Sequence, residues 1–152
     1  GYFFREIPGP QFATPAAVRM LQTFESKGVF WLNALDPLSL SGIGIRELQA
    51  GLPRRVAGNH VVYTDGKPAL VSERFGRSLT ISLGKDDPRL PEVLGILRHL
   101  LTRAFEPRRK VTIETVNSTP TTRSEYLAPL RDVFDVVVDY KSVYIQRRVG
   151  EL

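Results

Sequence analysis

Apolar positions along this chain follow two rhythms, every second residue or every third and fourth, and the changes between them mark out the elements. YFFREI (2–7) reads as a short strand, broken by Pro8-Gly9-Pro10. Thr14 then takes an N-cap position with Pro15 at the first helical site. Ala17, Met20, Leu21 and Phe24 recur at helical spacing and Gly28 closes the segment, so a helix is expected. VFWLNAL (29–35) is an apolar run of strand length that stops at Asp36-Pro37. Residues 39–58 carry scattered glycines and weak periodicity, which predicts a long loop with a helical turn around 45–50.

Beyond the loop, HVVYT (60–64), ALVSER (69–74) and SLTISL (78–83) alternate or are rich in β-branched side chains. Asp65-Gly66 is a hairpin signal between the first two, and the link around Phe75-Gly76-Arg77 is equally short. A three-stranded antiparallel meander is predicted. Asp87-Pro88 opens a second helix whose apolar stripe, Val93, Leu94, Leu97, Leu100, Leu101 and Ala104, ends at Pro107. KVTIETV (110–116) predicts one strand, and residues 124–133 a short helix weakened or kinked by Pro129. FDVVVD (134–139) and SVYIQRR (142–148) predict a hairpin across Tyr140-Lys141. The sum is an α+β fold: a largely antiparallel β-sheet or partly closed β-barrel with two or three packed helices.

Composition removes several chemistries. The 152 residues, 42% hydrophobic and 24% charged, suit one domain with its own core. The absence of cysteine excludes disulfides, thiolate metal sites and cysteine nucleophiles. His60 and His99 are too few for a histidine-based metal cluster. No apolar run approaches the ~18 residues that span a bilayer, and no signal peptide is visible, so a soluble, cytoplasmic protein is expected. The sequence holds no GxxxxGK phosphate loop, no HExxH and no GxSxG, and GIGIRELQAG (42–51) does not fit GxGxxG. Asp36, between a strand and a proline, either caps the turn around Leu38 and Ser39 or serves as a base that orients water; the turn role is favoured.

Charge adds a positive indication. Lys and Arg total 21 against 16 Asp and Glu, a net +5, with arginine pairs at 54–55, 108–109 and 147–148. Guanidinium binds phosphate through two parallel hydrogen bonds, which makes nucleic acid a plausible partner. By clustering, Arg54, Arg55, Arg74, Arg77, Arg108, Arg109 and Lys110 are the candidate phosphate contacts, against the alternative of ordinary solvated cations. Trp31, Phe3, Phe4 and Tyr63 offer ring faces for bases, or belong to the core.

Three stretches taken in order carry a resemblance: GYFFREIPGPQFATPAAVRML, LNALDPLSLSG and GNHVVYTDGKPALVSERFGRSLTI. Together they resemble the C-terminal region of the large helicase-related (Lhr) proteins, bacterial superfamily-two DEAD/DEAH-type ATP-dependent helicases. Gly1, Tyr2, Phe3, Gln11, Phe12, Ala13, Pro15, Ala17 and Val18 match the family's strand, turn and QFA-x-P-x-AV stretch. Asp36-Pro37 matches its DP element, and Gly58, Val61, Asp65, Gly66 and Pro68 match its G-x-x-V-x-x-x-DG-x-P signature. The resemblance runs over nearly the whole chain. It implies that residues 1–13 are the last strand of a winged-helix wing and that 14–152 form a C-terminal β-barrel-like module of a longer protein. ATP and Mg²⁺ would then belong to motor domains elsewhere, with no cofactor in this part. The module also resembles that of winged-helix DNA glycosylases, whose catalytic Gln-x-Gln motif is met here only by Gln11, so no catalysis carries over.

The expected function is a non-motor module that holds DNA, or an RNA–DNA duplex, through arginine–phosphate contacts. It would sit beside the upstream winged-helix and motor domains of the same chain, without a membrane. Two alternatives stand beside it. One is part of a uracil-DNA glycosylase module, with Asp36 as the acid and Asp139 and Glu151 behind it. The other is a structural buttress for neighbouring winged helices.

Overall fold

The meander predicted from the alternation over 60–83 forms the centre of the larger of two sheets in the computed structural model, which describes residues 5, 7–23 and 28–146. Ahead of it, helix α1 (Pro15–Thr23) starts at the predicted cap, where Thr14 Oγ1 accepts the Ala17 N–H at 3.2 Å. The strand expected over 2–7 and the helical turn expected over 24–27 lie largely or wholly outside the described residues. Strand β1 (Val29–Asn33) pairs antiparallel with β2 (His60–Thr64), the two being separated by a loop that contains the short α2 (Arg46–Gln49). β2 continues through β3 (Lys67–Glu73) to β4 (Ser78–Ile81), all antiparallel. Asp65 and Gly66 adopt φ of 51° and 72°, the left-handed pair that a two-residue hairpin needs.

The second helix differs from expectation. It is two short helices, α3 (Leu90–Val93) and α4 (Gly95–Thr102), divided at Leu94. Leu97 N–H bonds the Leu94 carbonyl in a three-residue turn and Gly95 begins the new segment, while the stripe from Val93 to Leu101 stays buried. The helix stops at Thr102, short of Pro107, so Ala104 is exposed outside it. Arg89, just ahead of α3, binds Asp65 and Asp87, each at 2.7 Å, and ties the β2–β3 turn to the helix start.

The run 110–116 also divides. β5 (Lys110–Ile113) joins a smaller sheet, whereas β6 (Thr115–Val116) joins the larger one, parallel to β4. Glu114 is the crossing residue. Its N–H, and that of Thr115, reach the Arg77 carbonyl at 2.8 and 3.4 Å, which draws the chain against β4. The chain then turns back through Asn117 and Ser118 (φ 50° and 63°) into an unpredicted edge strand, β7 (Thr119–Pro120). Pro120 is tolerated there because an edge strand does not need every N–H. Asn117 compensates for the missing pairing by bonding both the N–H and the carbonyl of Ile81, at 2.7 and 3.0 Å.

Helix α5 (Leu127–Val133) begins three residues later than expected, which places Pro129 in the first turn. An N–H there has no helical partner to lose, so the expected weakening or kink does not arise. Strands β8 (Asp135–Val138) and β9 (Val143–Gln146) form the predicted hairpin and complete the sheet order β5-β9-β8. The fold is α+β, and the sheets stay open: among the described residues β1 pairs only with β2 and β7 only with β6, so the partly closed barrel is not formed. No helix among them is long and apolar enough to cross a membrane.

One main core joins both sheets. Val62, Leu70 and Leu79 of the larger sheet pack with Leu97 and Leu100 of α4, Leu130 of α5, and Val111, Ile113 and Ile145 of the smaller sheet. The opposite face of the larger sheet carries Val61, Tyr63 and Val71, covered by Leu32 and by Leu52 of the long loop.

His60 is a polar exception inside this packing, 2% exposed. Asn33 Oδ1 accepts the Leu35 N–H, which turns its amide so that Nδ2 donates to the Ala57 carbonyl and faces His60 Nε2 at 3.0 Å. Nε2 is therefore the acceptor and the imidazole is neutral. Burial, together with the charges of His99 and Arg103, pushes its pKa down to about 4. Between pH 6.5 and 4 the unfolded chain binds this proton and the folded one does not, so stability rises with pH in that window. Acidification from 6.5 towards 4 is expected to remove roughly 2 kcal/mol through this group. Urea unfolding of the wild type and of His60→Gln across that range checks it: the variant should lose the corresponding part of the slope.

Candidate functional site

The seven candidate cations separate by position. Arg74 and Arg77 come from the β3–β4 turn, and Arg108 and Lys110 from the entry to β5. Together they line one cleft of about 550 Å³ with Phe75, Asn59 and Gly58. Residues 34 positions apart in sequence thus meet at the junction of the two sheets.

The turn is held in an unusual backbone state. Arg74, Phe75 and Gly76 have φ of 51°, 59° and 88°, three left-handed residues in succession, of which only glycine adopts that region without steric cost. Two bonds from the end of the long loop hold it: Arg74 N–H to Asn59 Oδ1 at 2.9 Å and Phe75 N–H to the Gly58 carbonyl at 2.7 Å. Asn59 is itself fixed, since its Nδ2 donates to the Arg54 carbonyl and its own carbonyl accepts the Ala34 N–H. Strain of this kind persists only where surrounding structure enforces it, and it clusters at functional sites.

The result is a stack. A Cβ on Gly58 would lie 2.8 Å from the Phe75 ring, so glycine backbone covers one part of the ring. The Arg108 guanidinium sits 3.9 Å from the ring centroid, and that of Arg103 is 5.9 Å away. Phe75 therefore positions Arg108 and is not open to a base on that face. Lys110 Nζ rests 4.7 Å from the Tyr144 ring. Glu114 is the opposing charge, 3.2 Å from Arg77 and 3.8 Å from Arg74. These pairs are exposed and contribute on the order of 1 kcal/mol or less, so an incoming phosphate can displace the carboxylate.

The other three cations lie elsewhere. Arg55 bonds the carbonyls of Leu35, Asp36, Ser39 and Ser41 at 3.2–3.5 Å, which makes it a brace for the long loop. Arg54 and Arg109 are exposed and do not line the cleft. Asp36 caps its turn: Oδ1 accepts the Leu38 N–H at 2.8 Å and its carbonyl the Ser39 N–H. Asp139 likewise accepts the Tyr140 N–H, and Glu151 lies outside the described residues. Of the aromatics, Tyr63 is buried and stacks on Phe30. Trp31 packs against His60 and His99, and Phe3 and Phe4 lie outside the described residues.

Four members of the site, Asn59, Phe75, Arg103 and Glu114, were not foreseen. Gly58 and Phe75 stand in stretches whose spacing hinted at turns, but only the fold shows that the two touch. No protein-family model matches the chain, and no curated protein does either.

Proposed function

We propose that this chain is a binding module for the phosphate backbone of nucleic acid, in the role of the C-terminal, non-motor part of an Lhr-like DEAD/DEAH-type helicase. The convergence of Arg74, Arg77, Arg108 and Lys110 on one cleft supports this reading. Four cations, two of them paired with a single displaceable carboxylate, suit a polyanion, and a guanidinium already ordered on a ring loses less side-chain freedom when it binds. Asp36 is engaged in its turn, which favours binding over glycosidic hydrolysis. In the parent protein ATP and Mg²⁺ would be held by motor domains, in the cytoplasm, with winged helices beside this module.

A salt titration tests the proposal. Fluorescence anisotropy with a labelled single-stranded oligonucleotide is expected to give a slope of log K against log salt of roughly −2 to −3, at about 0.7 per phosphate contact. Arg108→Ala should make that slope shallower by about one contact. A salt-independent affinity, or an unchanged slope in Arg108→Ala, rejects the proposal.

A further inference from the structure

A second hollow has Glu114 in its wall. It measures about 670 Å³ and is lined by Glu114, Thr115, Thr122, Arg123, Tyr140 and Lys141, among others. Glu114 thus belongs to both places: its carboxylate meets Arg74 and Arg77 of the first cleft, and the same residue walls the second. The two are linked through this residue, which carries the chain from the smaller sheet to the larger.

The contents of the second hollow differ from those of the first. Tyr140 is 91% exposed at the tip of the β8–β9 hairpin, and Asp139 Oδ1 holds its backbone N–H at 2.7 Å. An aromatic ring that exposed contributes almost nothing to the core. Arg123 and Lys141 flank it, and among the described residues no carboxylate lies within ion-pair distance of either. Whereas Phe75 is covered by Gly58 and Arg108, Tyr140 keeps its ring faces open.

The geometry points to a track for a single strand of nucleic acid. Its phosphates are gripped in the first cleft, the backbone passes Glu114, and a base further along stacks on Tyr140 while Arg123 and Lys141 meet the next phosphates. Unpaired bases are needed for the second contact, because in a duplex their faces are already occupied. This extends the phosphate-binding reading of the first cleft and rests on it.

The test uses the full chain with labelled thymidine oligonucleotides of about four and about twelve residues, lengths that bracket the site sizes of single-strand modules. Tyr140→Ala and Arg123→Ala, both at exposed positions, are compared with Arg108→Ala. Tyr140→Ala is expected to weaken the longer oligonucleotide about 5- to 100-fold, the range of one base-stacking contact, and to leave the shorter one unchanged. Arg123→Ala should weaken the longer one and reduce its salt slope by about one contact. A duplex of the longer length should be indifferent to Tyr140→Ala.

Unchanged binding of the longer oligonucleotide in both variants overturns the track, and an equal loss for the duplex overturns its single-strand character. If Arg108→Ala leaves the shorter oligonucleotide unaffected, the phosphate-binding cleft itself is refuted, and the track falls with it.

Discussion

Gly76→Ala is expected to destabilise the protein by about 2–4 kcal/mol, from overpacking and backbone strain together. A Cβ at that position would lie 2.5 Å from Val111 Cγ1 and 3.3 Å from Leu97 Cδ2. Both neighbours are buried in the main core, and the branched Val111 side chain sits on a paired strand, so neither can move aside cheaply. The backbone adds its own cost, because φ at Gly76 is +88°. Gly66→Ala separates the two contributions. Gly66 has φ +72° with nothing within 4 Å of its Cβ position, so only the conformational part applies, about 1 kcal/mol. Urea denaturation of the two variants measures the difference. Equal losses would mean that the turn does not press against Val111.

Reversing two charges in the cleft, Arg77→Glu with Arg108→Glu, is expected to lower affinity for a single-stranded oligonucleotide at least about 100-fold at low salt. Two charge-assisted contacts are lost and two carboxylates are placed opposite phosphate. Arg54→Glu with Arg109→Glu changes the net charge by the same amount at exposed sites outside the cleft. If the effect were only the overall field of a basic protein, both pairs would lose alike. The cleft predicts a much larger loss for the first pair, read at a temperature where unfolding curves show both variants folded, because the first pair also gives up the Glu114 and Phe75 contacts. Parity between the pairs would remove the case for a localised site.

The sequence was legible wherever a local pattern decided the structure. Asp65-Gly66 needs only its own backbone preference to make a hairpin, and the stripe from Val93 to Leu101 needs only its spacing to be buried. KVTIETV was opaque for the opposite reason. Five of the seven residues are β-branched and no glycine or proline interrupts them, so nothing local marks Glu114 as the point of transfer; the cause is the Arg77 carbonyl, 37 residues away. Clustered arginines misled in the same way. Arg54-Arg55 and Arg108-Arg109 look alike as text, but the first pair lies in a loop whose open carbonyls recruit Arg55, and the second precedes a strand beside the face of the Phe75 ring. Which cation is spent on the protein and which faces outward is a property of the neighbours, and neighbours are set by the fold. Tyr140 is intermediate: its place at a hairpin tip was visible, but its openness and its proximity to Arg123 were not.

The cations of the cleft are contributed by separate layers, two by the turn of the larger sheet and two by the entry and first residue of the first strand of the smaller. Any anion seated among them is consequently a cross-link between the layers, added to their apolar packing, the Arg108–Phe75 stack and the crossing residue Glu114. Occupancy then opposes the sliding of one layer over the other, and a polyphosphate should raise the melting temperature of the module as well as engage its surface.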